Sequence, residues 1–162
     1  MDKDIGQSRA LAKRIRSRQK QCFFNSWRVI ERLDQYAEAI YVEGLAINLR
    51  SRLLFEHAWI EHEGVLLDPT LPEGNLVYFP GLRCVGRNGL AEAAALPTLE
   101  LGGFVIGVDG AAKAAASPDL RGCGNGPPIF FKFGFGGYEH QGFRAARKAA
   151  ERFARDLREQ GH

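Results

Sequence analysis

The residues best suited to chemistry in this chain are Cys22, His57 and Asp68. A cysteine thiolate is a strong nucleophile, an imidazole can take and return its proton, and a carboxylate can hold the imidazole in one orientation. Histidine and aspartate lie close together in the stretch "HAWIEHEGVLLDPT" (57–70), and the cysteine precedes them by 35 residues. Their chemistry depends on whether the secondary structure brings the three side chains together.

The stretches "LLFEHAWIEH" (53–62) and "GVLLDPT" (64–70) predict two antiparallel strands. Strand alternation places His57 and Trp59 on one face and His62 on the other. With a two-residue loop at His62-Glu63, His57 lies directly opposite Asp68. With the loop at Glu63-Gly64, Asp68 lies one diagonal step away on the same face. A three-residue loop would move Asp68 to the wrong face. The alternative is an ordinary hairpin with an incidental His–Asp contact.

The stretch "CFFNSWRVIERLDQYAEA" (22–39) has apolar residues at helical spacing and predicts a helix that begins at Cys22. A helix N-terminus carries partial positive charge and unpaired N–H groups, which stabilise a thiolate and can bind an oxyanion. The alternative is that Cys22 is a small buried hydrophobic residue, which is the usual role of a lone cysteine.

The order of a cysteine at a helix start, "YVEG" (41–44), "HAW" (57–59) and "DPT" (68–70) resembles the transglutaminase-like, papain-like cysteine enzymes over residues 20–80. The resemblance implies an α+β, papain/transglutaminase-like fold in which an N-terminal helix carrying the cysteine packs on an antiparallel sheet. It also implies a triad: Cys22 would be the nucleophile, His57 the base and Asp68 the orienting carboxylate. Trp59 would shield the pair from water, and the reaction would be acyl transfer through a thioester to water or an amine.

The segment before the cysteine, "RQKQ" (18–21), lacks the Gly-rich lead-in common in that family. Gln19 or Gln21 could donate a hydrogen bond to an oxyanion, as a glutamine does in papain-like relatives, and the sequence leaves the choice between them open. In "YVEG", Glu43 is expected to face solvent, and Gly44 is expected to mark a bulge or a close backbone approach.

The chain of 162 residues suits a single catalytic-type domain over 20–162, preceded by a basic, partly helical lead-in over 1–19. Within it, residues 20–80 form the core, 81–128 show no recognisable motif, and 129–160 predict a strand (129–135) followed by a C-terminal amphipathic helix (142–160). A short strand (76–79), a helix (89–96) and a strand (103–108) are also expected. The apolar stripe expected on the terminal helix comprises Ala146, Ala149, Ala150, Phe153 and Leu157.

Basic residues concentrate in two places, although the net charge is only +3. One is "KRIRSRQK" (13–20), and the other is 144–158, which carries five Arg and one Lys. They support an alternative function, a nucleic-acid-binding protein in which both basic segments contact phosphates and the hairpin is only scaffold.

Several other classes are not indicated. The three cysteines are widely spaced without a CxxC pair, which argues against a zinc site or a disulfide framework; Cys84 and Cys123 are expected to be incidental loop residues. No dinucleotide or phosphate-binding glycine pattern occurs, so no cofactor or metal is expected. The sequence has no apolar run of membrane-spanning length and no signal-peptide pattern, so the expected location is cytoplasmic. The expected partner is a peptide, protein or small amide substrate.

Overall fold

The computed structural model describes residues 1–95, 100–101, 104–105 and 141–159, which fold as an α+β protein. The helices are α1 (Ile5–Arg14), α2 (Cys22–Arg32), α3 (Gly86–Ala95) and α4 (Gln141–Glu159), with a 3-10 turn at Asp34–Tyr36. The strands are β1 (Ile40–Asn48), β2 (Leu54–His62), β3 (Val65–Leu67), β4 (Leu76–Val85), β5 (Glu100–Leu101) and β6 (Phe104–Val105). None of the helices in these ranges is long and apolar enough to cross a membrane.

Four strands form one antiparallel sheet in the order β3-β2-β1-β4, and β5 pairs with β6 separately. The central strand β1 is buried from Tyr41 to Ile47. A bulge interrupts its pairing with β4 between Glu43 and Gly44. A Cβ atom at Gly44 would lie 2.2 Å from the Phe79 carbonyl oxygen and 2.9 Å from the Trp59 ring. The expected close backbone approach at Gly44 is therefore confirmed.

The hairpin between β2 and β3 has the loop Glu63-Gly64, the second of the two predicted two-residue alternatives. His62 pairs with Val65, and Ile60 pairs with Leu67. Both loop residues have positive φ, 49° and 79°, as the hairpin turn that matches strand twist requires. Asp68 therefore follows β3 one diagonal step from His57. His62 lies on the opposite face, where its ring meets the edge of Tyr36 at a centroid distance of 4.8 Å.

Helix α2 begins at Cys22, as predicted, but it ends at Arg32 and does not continue to Ala39. Leu33 is extended (φ −116°, ψ 104°), and a single 3-10 turn follows. This change of direction buries the side chains of Leu33 and Tyr36 in the main core. A straight helix would point these two side chains elsewhere. The apolar face of α2, with Val29 and Ile30, packs in the same core.

The segment expected to be a lead-in contributes to that core. Asp4 caps α1 by accepting a hydrogen bond from the Gln7 N–H, and Leu11 and Ile15 are buried at 2% and 3% exposure. The segment before the helix also joins the sheet edge, because the Asp4 N–H donates to the Leu66 carbonyl at 3.0 Å.

Strand β4 is longer than the predicted 76–79, and this corrects the placement of Cys84. Cys84 was expected in a loop, but it lies on β4 opposite Tyr41 and is only 4% exposed. The extension follows from the continued pairing of β4 with β1 beyond the bulge, as far as Val85 opposite Ile40. Cys123 and the strand expected at 129–135 lie outside the described residues.

Helix α4 packs on the outer part of the sheet. Phe143, Ala150 and their neighbours cluster with Leu45 and Ile47 of β1. Ala149, expected on this face, is exposed, because its position on the helix points away from the centre of the stripe. The arginines of α4 are exposed, as predicted.

Candidate active site

His57 and Asp68 form a buried pair. His57 Nε2 lies 2.7 Å from Asp68 Oδ2, and the two residues are 1% and 0% exposed. The other carboxylate oxygen, Oδ1, accepts hydrogen bonds from the N–H groups of Thr70 and Leu71 at 2.9 Å each. Backbone N–H groups of the turn that contains Pro69 therefore bind the side chain of Asp68, as is common for Asp side chains in turns. This turn fixes the direction of the carboxylate toward His57.

Asp68 is ionised over the whole neutral range. Burial by itself raises its pKa, but the charge and hydrogen bond of His57, the Leu71 N–H and the charge of Lys3 together lower the pKa to about 2. An ionised carboxylate only accepts hydrogen bonds, so the hydrogen between the two groups belongs to Nε2 of His57. In the neutral imidazole, the remaining nitrogen, Nδ1, is then a proton acceptor.

Cys22 completes the group. Burial lowers the pKa of His57, but the charge and hydrogen bond of Asp68, and a hydrogen bond and charge interaction with the Cys22 side chain, raise it to about 9. Because Nε2 is engaged by Asp68, Nδ1 is the nitrogen left for the thiol. Cys22 is 9% exposed, more than His57 or Asp68.

Two buried polar residues in α2 hold Cys22 at this position. The Ser26 hydroxyl, one turn after Cys22, donates to the Ala58 carbonyl at 3.0 Å, next to His57 on β2. The Asn25 amide donates to the Thr70 hydroxyl at 3.0 Å, in the turn that holds Asp68. The sequence did not predict a role for these two residues. A signal was present, since both are polar and lie beside Cys22 and Val29 on the apolar side of the helix.

The sequence also predicted no role for three further residues around Asp68. The Tyr78 hydroxyl donates to Asp68 Oδ2 at 2.8 Å, and the Asp68 N–H donates to the Ser8 hydroxyl at 3.0 Å. Lys3 places its ammonium group 5.7 Å from the centre of the Tyr78 ring. Burial, followed by the charge of Asp68, raises the pKa of Tyr78, so its hydroxyl remains a donor. No spacing pattern signals these contacts, because Ser8 lies 60 residues from Asp68 in the chain.

Aromatic rings surround the histidine. The Trp59 ring is stacked beside His57 at a centroid distance of 6.4 Å and is fully buried, and Phe55 meets His57 edge-on at 5.6 Å. The Trp59 Nε1–H has no acceptor among the described residues. Trp59 therefore lies beside the imidazole of the His–Asp pair as a fully buried ring.

The two glutamine candidates lie directly before α2. Gln19 is exposed in a turn, whereas Gln21 is half-buried at the N-cap position. Lys20, between them, has a φ of 62°, in the left-handed region that favours glycine. The chain therefore makes a sharp turn just before Cys22 without a glycine at that position.

Glu43 was expected to face solvent, and this was wrong. It is fully buried and accepts a hydrogen bond from the Tyr41 hydroxyl at 2.8 Å. The physical reason is that β1 is the central strand with both faces covered, and Glu43 shares the face of Ala58 and Leu82.

Within the described ranges, no group of three His, Cys, Asp or Glu side chains could hold a metal ion. No family model, curated protein or solved structure matches the chain.

Proposed function

We propose that the protein is a cysteine-dependent acyl-transfer enzyme of the transglutaminase-like, papain-like kind. It would cleave an amide or peptide bond, or transfer the acyl group to an amine. One observation carries the proposal: the buried imidazole that binds Asp68 through Nε2 at 2.7 Å also interacts with the side chain of Cys22, and this interaction helps to raise the pKa of His57. Covalent acyl transfer needs a nucleophile, a base that takes its proton and a group that orients the base, and these contacts connect the three in that order.

The reaction would proceed in two halves. His57 takes the Cys22 proton, and the thiolate attacks the acyl carbon, so that a carbon–sulfur bond forms while the carbonyl oxygen becomes an oxyanion. The carbon–nitrogen bond then breaks, and His57 returns the proton to the leaving amine. In the second half, water or an amine gives its proton to His57 and attacks the thioester, which releases the Cys22 sulfur.

Asp68 and the start of α2 support the charges that develop. The ionised aspartate stabilises the imidazolium that forms during each proton transfer, and it keeps the hydrogen on Nε2 so that Nδ1 stays available. The first N–H groups of α2 have no acceptor within the helix, where the first helical bond is from Asn25 N–H to the Gln21 carbonyl. These groups and the positive end of the helix dipole are suited to bind the oxyanion beside Cys22.

Alkylation with iodoacetamide between pH 5 and pH 9, followed by mass spectrometry of each cysteine, tests the proposal. We expect Cys22 to react at least about tenfold faster than Cys84 at pH 6, because only a thiolate reacts and His57 is the base that can take the thiol proton of Cys22. Cys84 is an internal reference, since burial and then the charge of Glu43 raise its pKa to about 12.

Two variants sharpen this experiment. His57→Ala should remove the advantage of Cys22 at pH 6, because no base remains to take the proton. His62→Ala is the matched control: it removes a histidine of the same strand from the opposite face and should leave the advantage intact. Equal rates for Cys22 and Cys84 at pH 6 in the unmodified protein would refute the proposed function.

A further inference from the structure

Four arginines lie along α2 and in the segment directly before it. Arg16 and Arg18 come from the segment between α1 and α2, while Arg28 and Arg32 lie one turn apart on α2. We refer to these four as the arginine cluster. Asn25 connects the two parts of the cluster, because it binds the backbone of Arg18 and lies one turn before Arg28 on α2. Partial burial and then the charges of Arg32, Arg18 and Arg16 lower the pKa of Arg28.

The cluster carries positive charge without compensation from the described acidic residues. Three other arginines of this part of the chain have acidic partners: Arg9 pairs with Glu73 at 2.9 Å, Arg83 with Glu61 at 3.0 Å and Arg87 with Asp34 at 2.8 Å. No such pair to a described acid forms at any of the four cluster arginines. A concentration of like charge without counter-charge is unfavourable for the folded protein by itself, and it attracts an anion.

The cluster is held in shape by buried contacts. Asn25, which is fully buried, donates to the Arg18 carbonyl at 2.7 Å and accepts from the Arg18 N–H at 3.3 Å. The Arg28 guanidinium lies 5.1 Å from the centre of the Phe24 ring, and its Nε is buried without an acceptor in the described part of the chain. The backbone of Arg16 is itself in the left-handed region, with a φ of 53°.

The cluster also adjoins the reacting groups. Asn25, which holds the Arg18 backbone, also binds Thr70 in the turn that orients Asp68. Arg28 lies six residues after Cys22 on α2, which places it about 9 Å further along the helix axis. An extended peptide covers about 3.3 Å per residue, so a side chain about three residues from a bond at Cys22 would reach the cluster.

We propose that the acyl donor of the Cys22 site is an acidic peptide, whose carboxylates bind the arginine cluster while its acyl group meets the thiol. Guanidinium groups match carboxylates in shape and charge, and a positive surface beside a reactive site raises the rate at which anions arrive. This inference rests on the proposed function, because it specifies the substrate class of the same site.

A pair of reactive peptides tests it. One carries an N-terminal iodoacetyl group followed by glycine and three glutamates, and the other has glutamines in place of the glutamates. We expect the acidic probe to label Cys22 about tenfold faster than the neutral probe at low salt, and we expect the ratio to fall toward one at high salt.

Charge-removing variants assign the preference to the cluster. Arg16→Gln/Arg18→Gln, two exposed positions, should reduce the ratio to near one, and Arg28→Gln should reduce it in part. Arg155→Gln/Arg158→Gln removes the same charge from the exposed face of α4 and should keep the original ratio. An unchanged ratio in both cluster variants would overturn the inference.

Separate outcomes distinguish the two proposals. If Cys22 outpaces Cys84 with iodoacetamide but the two peptides label it equally, the proposed function survives and the acidic-substrate inference fails. If Cys22 shows no advantage with any reagent, the proposed function fails first. If a 20-nucleotide single-stranded RNA binds more tightly than the acidic peptide, and the cluster variants abolish that binding, the surface serves nucleic acid and the inference is overturned.

Discussion

At the scale of single residues, the site depends on one carboxylate. Asp68 accepts hydrogen bonds from His57, Tyr78 and two backbone N–H groups, and its own N–H is bound by Ser8. Burying a charged group costs free energy unless the group forms hydrogen bonds. The carboxylate of Asp68 forms enough of them, together with the nearby positive charges, that its pKa falls rather than rises. The same charge makes His57 more basic, and this property has a measurable consequence for stability.

The free energy of unfolding should fall as the pH rises from 6.5 to 9. The pKa of His57 is raised to about 9 in the folded protein, whereas an unfolded histidine releases its proton near pH 6.5. The stabilisation is therefore fully present below pH 6.5 and is lost by pH 9, and the loss is on the order of 3 kcal/mol. Urea denaturation across this range measures it.

Two variants control the pH experiment. Asp68→Asn removes the charge that raises the pKa of His57, so its unfolding free energy should depend far less on pH in this window. His62→Gln removes the histidine of the opposite face and should keep the slope of the parent protein. A parent protein whose stability is flat between pH 6.5 and 9 would contradict the assignment of His57 and Asp68 as an ion pair.

At the scale of elements, the site lies where the start of one helix meets two adjacent strands. Helix α2 supplies Cys22, β2 supplies His57, and the turn after β3 supplies Asp68. The short β3 ends at Leu67, so the turn after it is free to curve toward α2, where Asn25 binds Thr70. Behind this junction, the Trp59 ring lies against Gly44 of β1. Because Gly44 has no side chain, the ring can approach the backbone of β1 this closely.

Gly44→Ala should destabilise the protein by about 2 to 3 kcal/mol, because the added methyl group would collide with the Phe79 carbonyl and the Trp59 ring. Displacing Trp59 should also slow the alkylation of Cys22. Gly64→Ala is the matched control: its Cβ would meet no atom within 4 Å, and only its φ of 79° opposes the change. That variant should cost about 1 kcal/mol and leave the alkylation rate unchanged. Equal costs in urea denaturation would count against the close approach at Gly44.

At the scale of the whole molecule, the N-terminal segment is part of the folded unit. It adds Leu11 and Ile15 to the core, binds the edge of β3 through Asp4, and contributes Ser8 to the surroundings of Asp68. On the other part of the sheet, α4 packs against β1 and β4 through a separate apolar cluster. Helices α2 and α4 therefore stabilise different regions of one sheet.

Leu11→Ala should lower the free energy of unfolding by about 3 kcal/mol, as is typical when a fully buried leucine is truncated. The same substitution at Leu53, which is 64% exposed, should change it by less than about 0.5 kcal/mol. Thermal or urea denaturation of the two variants gives the comparison. A Leu11 variant as stable as the Leu53 variant would show that the N-terminal segment is not part of the core.

The sequence by itself determined the parts of the site that are local in the chain. Helical spacing identified the start of α2 at Cys22, and strand alternation separated His57 from His62. It also predicted that either two-residue loop keeps Asp68 on the face of His57, whereas a three-residue loop does not, since side chains alternate faces every residue along a strand. These features depend only on neighbours a few positions apart, so the pattern of residue types is sufficient to predict them.

Tertiary structure alone decided the rest, because the deciding contacts join segments far apart in the chain. Glu43 is buried because β1 became the central strand, and Cys84 is on a strand because β4 continues beyond its bulge. Tyr78, Ser8 and Lys3 meet Asp68 or its surroundings from three other places in the fold. Local sequence patterns do not show which distant side chain will hydrogen-bond a buried carboxylate. Those distant hydrogen bonds and charges keep Asp68 ionised, and the ionised Asp68 raises the pKa of His57.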